Sequence, residues 1–238
     1  MSEPLLLALD TATRRASVAV CRGTRLLAQG SREVTTHSEG LLALIDETLR
    51  QAGVTVHQLE LFVCGSGPGS FTGLRIGMAT VKGLCLATSR PLVTLSSLWA
   101  LALALTDGPA VELPPGQLVA AVIDARRDEI YVGLFRDGVL LGPPTVCGPT
   151  ELARLVQPPE PVVLVGDGAR AYRERLPPSA VVVPDDRHRI DARHFARPAM
   201  QRVAAGALDD PAAAVPLYIR PTDARLPSTP QDRRDAGP

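Results

Sequence analysis

Asp10, Val18, Arg22, Leu26 and Leu27 recur as Asp124, Val132, Arg136, Leu140 and Leu141, each 114 positions further along, the distance from 10 to 124. Five matches in one register mark a duplicated supersecondary unit and restrict the chain to folds built from two like halves. In the first copy, L-L-L-A-L-D (residues 5–10), S-V-A-V-C and R-L-L-A-Q-G read as three strands in a meander with short polar turns between them. A helix is predicted over residues 38–52, with Thr36 and Glu39 spaced for a capping box and Gly53 placed to end it. A short buried strand at 61–64, a glycine-rich loop, a helix over 72–87, the strand L-V-T-L-S and an apolar helix from S-L-W-A complete the unit. Further on, V-L-V-G-D-G-A with Gly166 and Gly168 echoes F-V-C-G-S-G-P with Gly65 and Gly67.

Two repeats of a meander followed by alternating helices and strands describe an α/β architecture, the duplicated actin-like ATPase fold of actin, Hsp70 and sugar kinases. In that fold the first hairpin of each lobe faces a central phosphate cleft. Residues 1–106 form the first lobe, 107–225 the second, and 226–238, rich in Pro, Asp and Arg, a disordered tail. D-G-P-A-V-E-L-P-P-G, residues 107–116, is the linker. With 238 residues and 45% hydrophobic composition, the chain can bury a core in each lobe. A net charge of zero and 3% aromatic residues argue against nucleic-acid binding by overall field or base stacking. The apolar run at the N-terminus is too short and too acidic for a secretory signal, and no run is long enough to span a bilayer, so a cytoplasmic protein without membrane contact is expected. Cys21, Cys64, Cys85 and Cys147 are widely spaced and read as reduced thiols.

The segment G-S-G-P-G-S-F-T-G-L-R-I-G-M-A-T-V-K-G, residues 65–83, looks like a phosphate loop but fits neither usual pattern. Ser70 replaces the last glycine of a dinucleotide fingerprint, and Lys82, the chain's only lysine, lies deep in the following helix. Asp10 and Asp124 stand where ATPases of this fold carry a carboxylate that positions magnesium or water, and with Thr11, Gly166 and Gly168 they outline a vestigial nucleotide cleft. Against live phosphoryl transfer, the first hairpin T-A-T-R-R-A-S has no glycine to let backbone approach a phosphate. Strand-end carboxylates that cap hairpin amides are the alternative. His37 and His57 flank the first helix, His188 and His194 do not share a helical face, and no His-x-x-x-His or Gly-x-Ser-x-Gly occurs. No catalytic residue and no metal ligand is assigned.

Gly73, Gly77 and Gly83 each cost a helix roughly 0.8 to 1 kcal/mol against Ala, so close backbone approach is expected around them. Gly73 and Gly77 form one smooth strip and Ala79, Gly83 and Ala87 another, one for the lobe's own sheet and one free for another helix or chain. In the first helix, Leu41, Leu42, Leu44, Ile45 and Leu49 make an arc wider than one sheet face requires. These strips suit either an ordinary two-sided core contact or a partner interface, the latter formed from Leu41, Leu42, Ile45, Leu49, Gly73, Gly77, Thr80 and Gly83, with the arc of the first helix exposed until a partner covers it. Ser70 or Thr72 is expected to cap the second helix, and Phe71 to anchor the turn in apolar surroundings.

L-A-L-D-T-A-T, H-S-E-G-L-L-A-L-I, G-S-G-P-G-S-F-T-G-L-R-I-G, V-K-G-L, I-D-A-R-R-D-E-I-Y and P-L-Y-I-R together closely resemble the TsaB (YeaZ) family of bacterial tRNA threonylcarbamoyladenosine biosynthesis proteins. The resemblance runs to about Arg220, and G-P-G-S-F-T-G-L-R is its most specific part. It implies a subunit not catalytic alone, required with TsaD for N6-threonylcarbamoyladenosine formation in tRNAs that read codons beginning with A. It further implies a TsaD heterodimer joined through first-lobe helices, support from the ATPase TsaE, a homodimer in isolation, and tRNA contact through the complex. No cofactor is implied for the isolated chain; the complex uses ATP, and nucleotide binding at the cleft or a subunit interface stays open. TsaD holds a metal with His-x-x-x-His, whereas Ser97 and Leu101 stand at the nearest corresponding positions here. The competing reading is a nucleotide-hydrolysing or phosphotransferring member of the fold acting through Asp10 and Asp124; a peptidase finds no nucleophile and base.

Overall fold

The computed structural model describes residues 3–33, 39–105, 113–156 and 161–220; the expected tail, most of the linker, His37 and the Thr36 half of the capping box lie outside the described residues. The first meander is β1 (Leu5–Asp10), β2 (Arg15–Arg22) and β3 (Arg25–Glu33), paired antiparallel. β4 (Leu61–Gly67) and β5 (Leu92–Ser96) extend it in parallel, giving the order β3-β2-β1-β4-β5. The second lobe repeats this arrangement with β6 (Leu118–Arg126), β7 (Glu129–Arg136), β8 (Val139–Leu140), β9 (Thr145–Cys147), β10 (Val162–Val165) and β11 (Ala180–Val182), in the order β11-β10-β6-β7-β8 with β9 also on β7. β2 and β7 start and end 114 positions apart, as 129 is from 15 and 136 from 22, so the sequence repeat is a structural one. The counterpart of β3 is split into β8 and β9 at Gly142, Pro143 and Pro144, where proline removes the ladder donor.

Five layers result. α1 (Glu39–Ala52) and α2 (Phe71–Thr88) cover the outer face of the first sheet. α3 (Ser97–Leu103), the 3-10 turn Ala192–Phe195 and α6 (Ala196–Ala204) fill the space between the sheets. α4 (Leu152–Leu155) and α5 (Asp167–Ala171) back the second sheet. The uninterrupted apolar run of β1 follows from burial on both faces: Leu5, Leu7 and Leu9 join the outer core, Leu6 and Ala8 the central one. Gly53 ends α1 in the left-handed region at φ +70°, with Val54 N donating to Leu49 O.

β4 runs three residues further than its apolar stretch, through Gly65 to Gly67. A Cβ at Gly65 would overlap the Asp10 carboxylate, so a glycine that reads as loop is required within the sheet. After α6 the chain crosses back onto the first lobe. Asp209 bridges to Leu92 on the open edge of β5, and Arg202 holds Asp209 with two hydrogen bonds of 3.0 and 3.2 Å. Lys82 Nζ donates to Ala212 O and Ala214 O, Leu217 N donates to Ser66 O, and Arg220 pairs with Glu129 beside the second-lobe hairpin. This strap accounts for the P-L-Y-I-R segment. No described helix is long and apolar enough to cross a membrane.

Candidate functional site

The glycine-rich loop grips its own lobe's first hairpin. Ala12 O accepts from Ser70 N at 2.7 Å, and a Cβ at Gly69 would overlap Ala12 O. Gly67 takes φ +104°, a conformation that favours glycine. Ser70 caps α2, its Oγ accepting from Gly73 N at 3.2 Å, and Thr11 Oγ1 donates to Gly73 O. Two of the amides at this helix N-terminus, those of Ser70 and Gly73, are thus engaged by Ala12 O and Ser70 Oγ. Phe71 departs from expectation. It is exposed, lies 5.3 Å from the Tyr218 ring and has the Arg75 guanidinium over its face, so it meets the strap and not a buried apolar pocket.

Asp10 is fully buried. Its Oδ1 accepts from Ala12 N at 2.8 Å, and its Oδ2 accepts from Ser97 Oγ at 2.5 Å. Burial raises its carboxyl to about 6, although the Ser97 and Ala12 hydrogen bonds pull it down. Asp124 ends in a different environment because β6 and β7 are bulged: it pairs with Ile130, whereas Asp10 pairs with Ser17. Its carboxylate accepts from Arg126 N and Tyr172 OH and forms an ion pair with Arg126 Nη1 at 2.8 Å. Gly166, at φ +117°, packs against Val122 O, and Gly168 against the Ile123–Asp124 backbone. The residue reasoning from sequence missed is Asp167, whose Oδ1 accepts from Asp124 N at 3.0 Å and whose carboxyl is raised by burial. Its position directly after Gly166 in V-G-D-G was the available signal. The five residues outlining the expected cleft thus serve local hydrogen bonding and close packing, and Asp10 and Asp124 both already have partners.

The docking residues divide. Leu41, Ile45 and Leu49 are buried in the first lobe's outer core, which corrects the expected exposed arc. The face of α1 set by Leu41, Leu44, Ile45, Thr48 and Leu49 is consumed by β2 and β3, and only Leu42, 54% exposed, points away. Gly73 and Gly77 are consumed likewise: a Cβ on either would overlap Thr11. Thr80 is half-buried. Gly83 has nothing within 4 Å of a Cβ position, and Ala79, Ala87 and the 84%-exposed Leu86 lie open with it. One smooth strip of α2 therefore packs on the sheet while the other faces outward, as the helix spacing predicts.

His188 is buried between Gly166 N, which donates to its Nδ1, and Val183 O, and burial lowers its pKa. His57 lies on a 3-10 turn and His194 is buried within the interlobe layer. Cys21, Cys64 and Cys85 are buried free thiols and Cys147 is half-buried; burial pushes Cys21 up to about 12 and Cys85 and Cys147 to about 11. Among the described residues, no group of three or more His, Cys, Asp or Glu could hold a metal ion. Ser97, aligned with a metal histidine in the sequence reading, instead joins α3 to Asp10 and to Gly67 N.

Residues 32–173 match the family described as TsaD: tRNA N6-adenosine threonylcarbamoyltransferase. The tRNA threonylcarbamoyladenosine biosynthesis protein TsaB of Haemophilus influenzae is 40% identical over 136 residues, 55% of this chain and 53% of that protein. TsaB of Escherichia coli is 30% identical over 222 residues, 90% of this chain and 94% of that protein. The chain thus spans about half of the first relative and nearly all of the second. The structure of YeaZ from Pseudomonas aeruginosa superposes with a TM-score of 0.75 at 33% identity, covering 92% of this chain and 100% of that one.

Proposed function

The chain belongs to the TsaB (YeaZ) family, and from that premise we propose that it acts in tRNA threonylcarbamoyladenosine formation as the noncatalytic partner subunit of a TsaD-type transferase. The observation that carries this reading is the outward face of α2, where Ala79, Gly83, Leu86 and Ala87 lie open and uncharged. Helices pack most closely where side chains are small, so this strip suits a partner helix. Leu42 on the outer side of α1 adds an apolar contact. TsaE, ATP and tRNA enter through the assembled complex, a homodimer in isolation uses the same face, and the complex is cytoplasmic.

The test is reconstitution of tRNA modification with and without this chain, the partner proteins held constant. Modification is expected only when it is present. Unchanged modification in its absence would overturn the partner role. Asp10→Asn and Asp124→Asn distinguish this reading from an ATPase acting through those residues, because loss of a catalytic carboxylate costs orders of magnitude in rate. Each folded variant should support modification within about tenfold of the parent, far short of a catalytic knockout.

A further inference from the structure

The segment after β11 folds over the inner face of β2 and β3 and leaves a cleft of about 520 Å3 between the lobes. That volume falls within the range of small-molecule sites. Four arginines line it, Arg15, Arg187, Arg189 and Arg193, against two aspartates, Asp186 and Asp191, an excess of two positive charges. The chain as a whole has 25 basic and 25 acidic residues, so the concavity is a local departure from neutrality.

Among the described residues, two of the four arginines have a carboxylate nearby, Arg193 and, at longer range, Arg187. Arg193 Nε lies 3.3 Å from Asp191 Oδ2. Arg15 gives Nε and Nη2 to the neutral Ser31 hydroxyl, at 2.9 and 2.7 Å, which leaves its charge uncompensated. Arg189 is exposed and makes no hydrogen bond or ion pair among the described residues. Arg187 also lines the cleft. Its Nε is buried without a hydrogen-bond partner, and Asp186 Oδ2 at 3.8 Å is too far to supply one. That nitrogen has no surface open to the cleft, so Arg187 lends the site its charge and not a free Nε donor.

We propose that this cleft binds a small phosphate-bearing anion. The planar guanidinium fork matches phosphate oxygens in geometry, and several arginines converging from two elements supply charge-assisted hydrogen bonds that chloride cannot use equally. The site is built by both lobes, since Ser17 Oγ on β2 accepts from Ala192 N in the covering segment at 2.9 Å. It is distinct from the Asp10 and Asp124 positions, none of whose five residues lines it. The proposal stands independently of the partner-subunit role.

The test is calorimetric titration of the full-length protein with pyrophosphate in chloride buffer at physiological ionic strength, beside a single-stranded RNA oligonucleotide without terminal phosphates. Saturable binding of pyrophosphate is expected, about tenfold weaker in Arg187→Gln and in Arg189→Gln, the loss expected for one charge-assisted hydrogen bond. Arg90→Gln, an exposed arginine outside the cleft, should leave it unchanged. Arg189 is exposed, so its variant keeps the test valid even if Arg187→Gln fails to fold. RNA binding that depends on the same arginines without pyrophosphate binding would assign the phosphate to a polynucleotide backbone and overturn the small-ligand form. Absence of binding by either probe, binding indifferent to both cleft variants, or equal loss in Arg90→Gln would overturn the site altogether.

Discussion

Asp10 Oδ2 and Ser97 Oγ lie 2.5 Å apart, and the same serine hydroxyl accepts the Gly67 amide at 3.1 Å. One side chain thus fastens the end of β1 to the start of α3 and to the glycine loop. Burial raises the Asp10 carboxyl from 3.8 to about 6, so the folded state binds a proton more readily than the unfolded chain. Its contribution to stability is fully present below 3.8 and is lost as pH rises through about 6. Urea melts of the parent and of Asp10→Asn should therefore diverge with pH. The parent should lose stability relative to the variant by on the order of 3 kcal/mol between about pH 4 and about pH 7, at ~1.4 kcal/mol per pH unit. A difference that is flat with pH would show that Asp10 titrates as an ordinary carboxylate.

Gly77 and Gly83 sit six residues apart on one helix but meet opposite surroundings. Gly77→Ala drives a methyl into Thr11 and should destabilise the protein by about 1–3 kcal/mol. Gly83→Ala enters open space and should stabilise it by up to about 1 kcal/mol through helix propensity. Thermal melts check both. Equal destabilisation by the two changes would contradict the inward and outward assignment of the strips.

Leu41 and Leu42 offer a parallel contrast on α1. Leu41→Ala should cost about 2–5 kcal/mol as a core cavity. Leu42→Asp and Leu86→Asp should leave the melt nearly unchanged yet weaken both self-association and partner binding, measured by sedimentation and by titration against TsaD. Full affinity in folded double-aspartate protein would remove this face from the interface.

Asp209 is the strap's electrostatic anchor. Burial works against its charge, but the Thr94 amide and Arg202 outweigh it and hold the carboxyl below 3.8. Its contribution is present above that value and is lost as pH falls through the lowered one. Asp209→Asn should cost about 1–3 kcal/mol at neutral pH, the range for hydrogen bonds to a charged group, and the cost should shrink in acid. Chemical denaturation at two pH values decides it.

What could be read from the chain alone was whatever its neighbours in sequence determine. The meander, the repeat of β2 as β7, the glycine stop after α1 and the Ser70 cap all depend on periodicity or on residues a few positions apart. Leu41 and Ile45 were misjudged because an apolar arc states only that something covers it, and here β2 and β3 do. Gly65 read as loop because its reason, the Asp10 carboxylate, lies 55 positions earlier. The arginine cleft and the strap are likewise assembled across distance: Ser17 meets Ala192, and Thr94 meets Asp209, over separations of 175 and 115 residues. Local pattern carries no trace of such pairs.

The bridge between Leu92 and Asp209 joins residues 117 positions apart. β5 is one of the two edge strands of the first sheet, and its free side is met by the strap at Asp209. A bare strand edge is the kind of surface on which neighbouring chains add strands, so the strap that fastens the two lobes also covers a place of unwanted pairing.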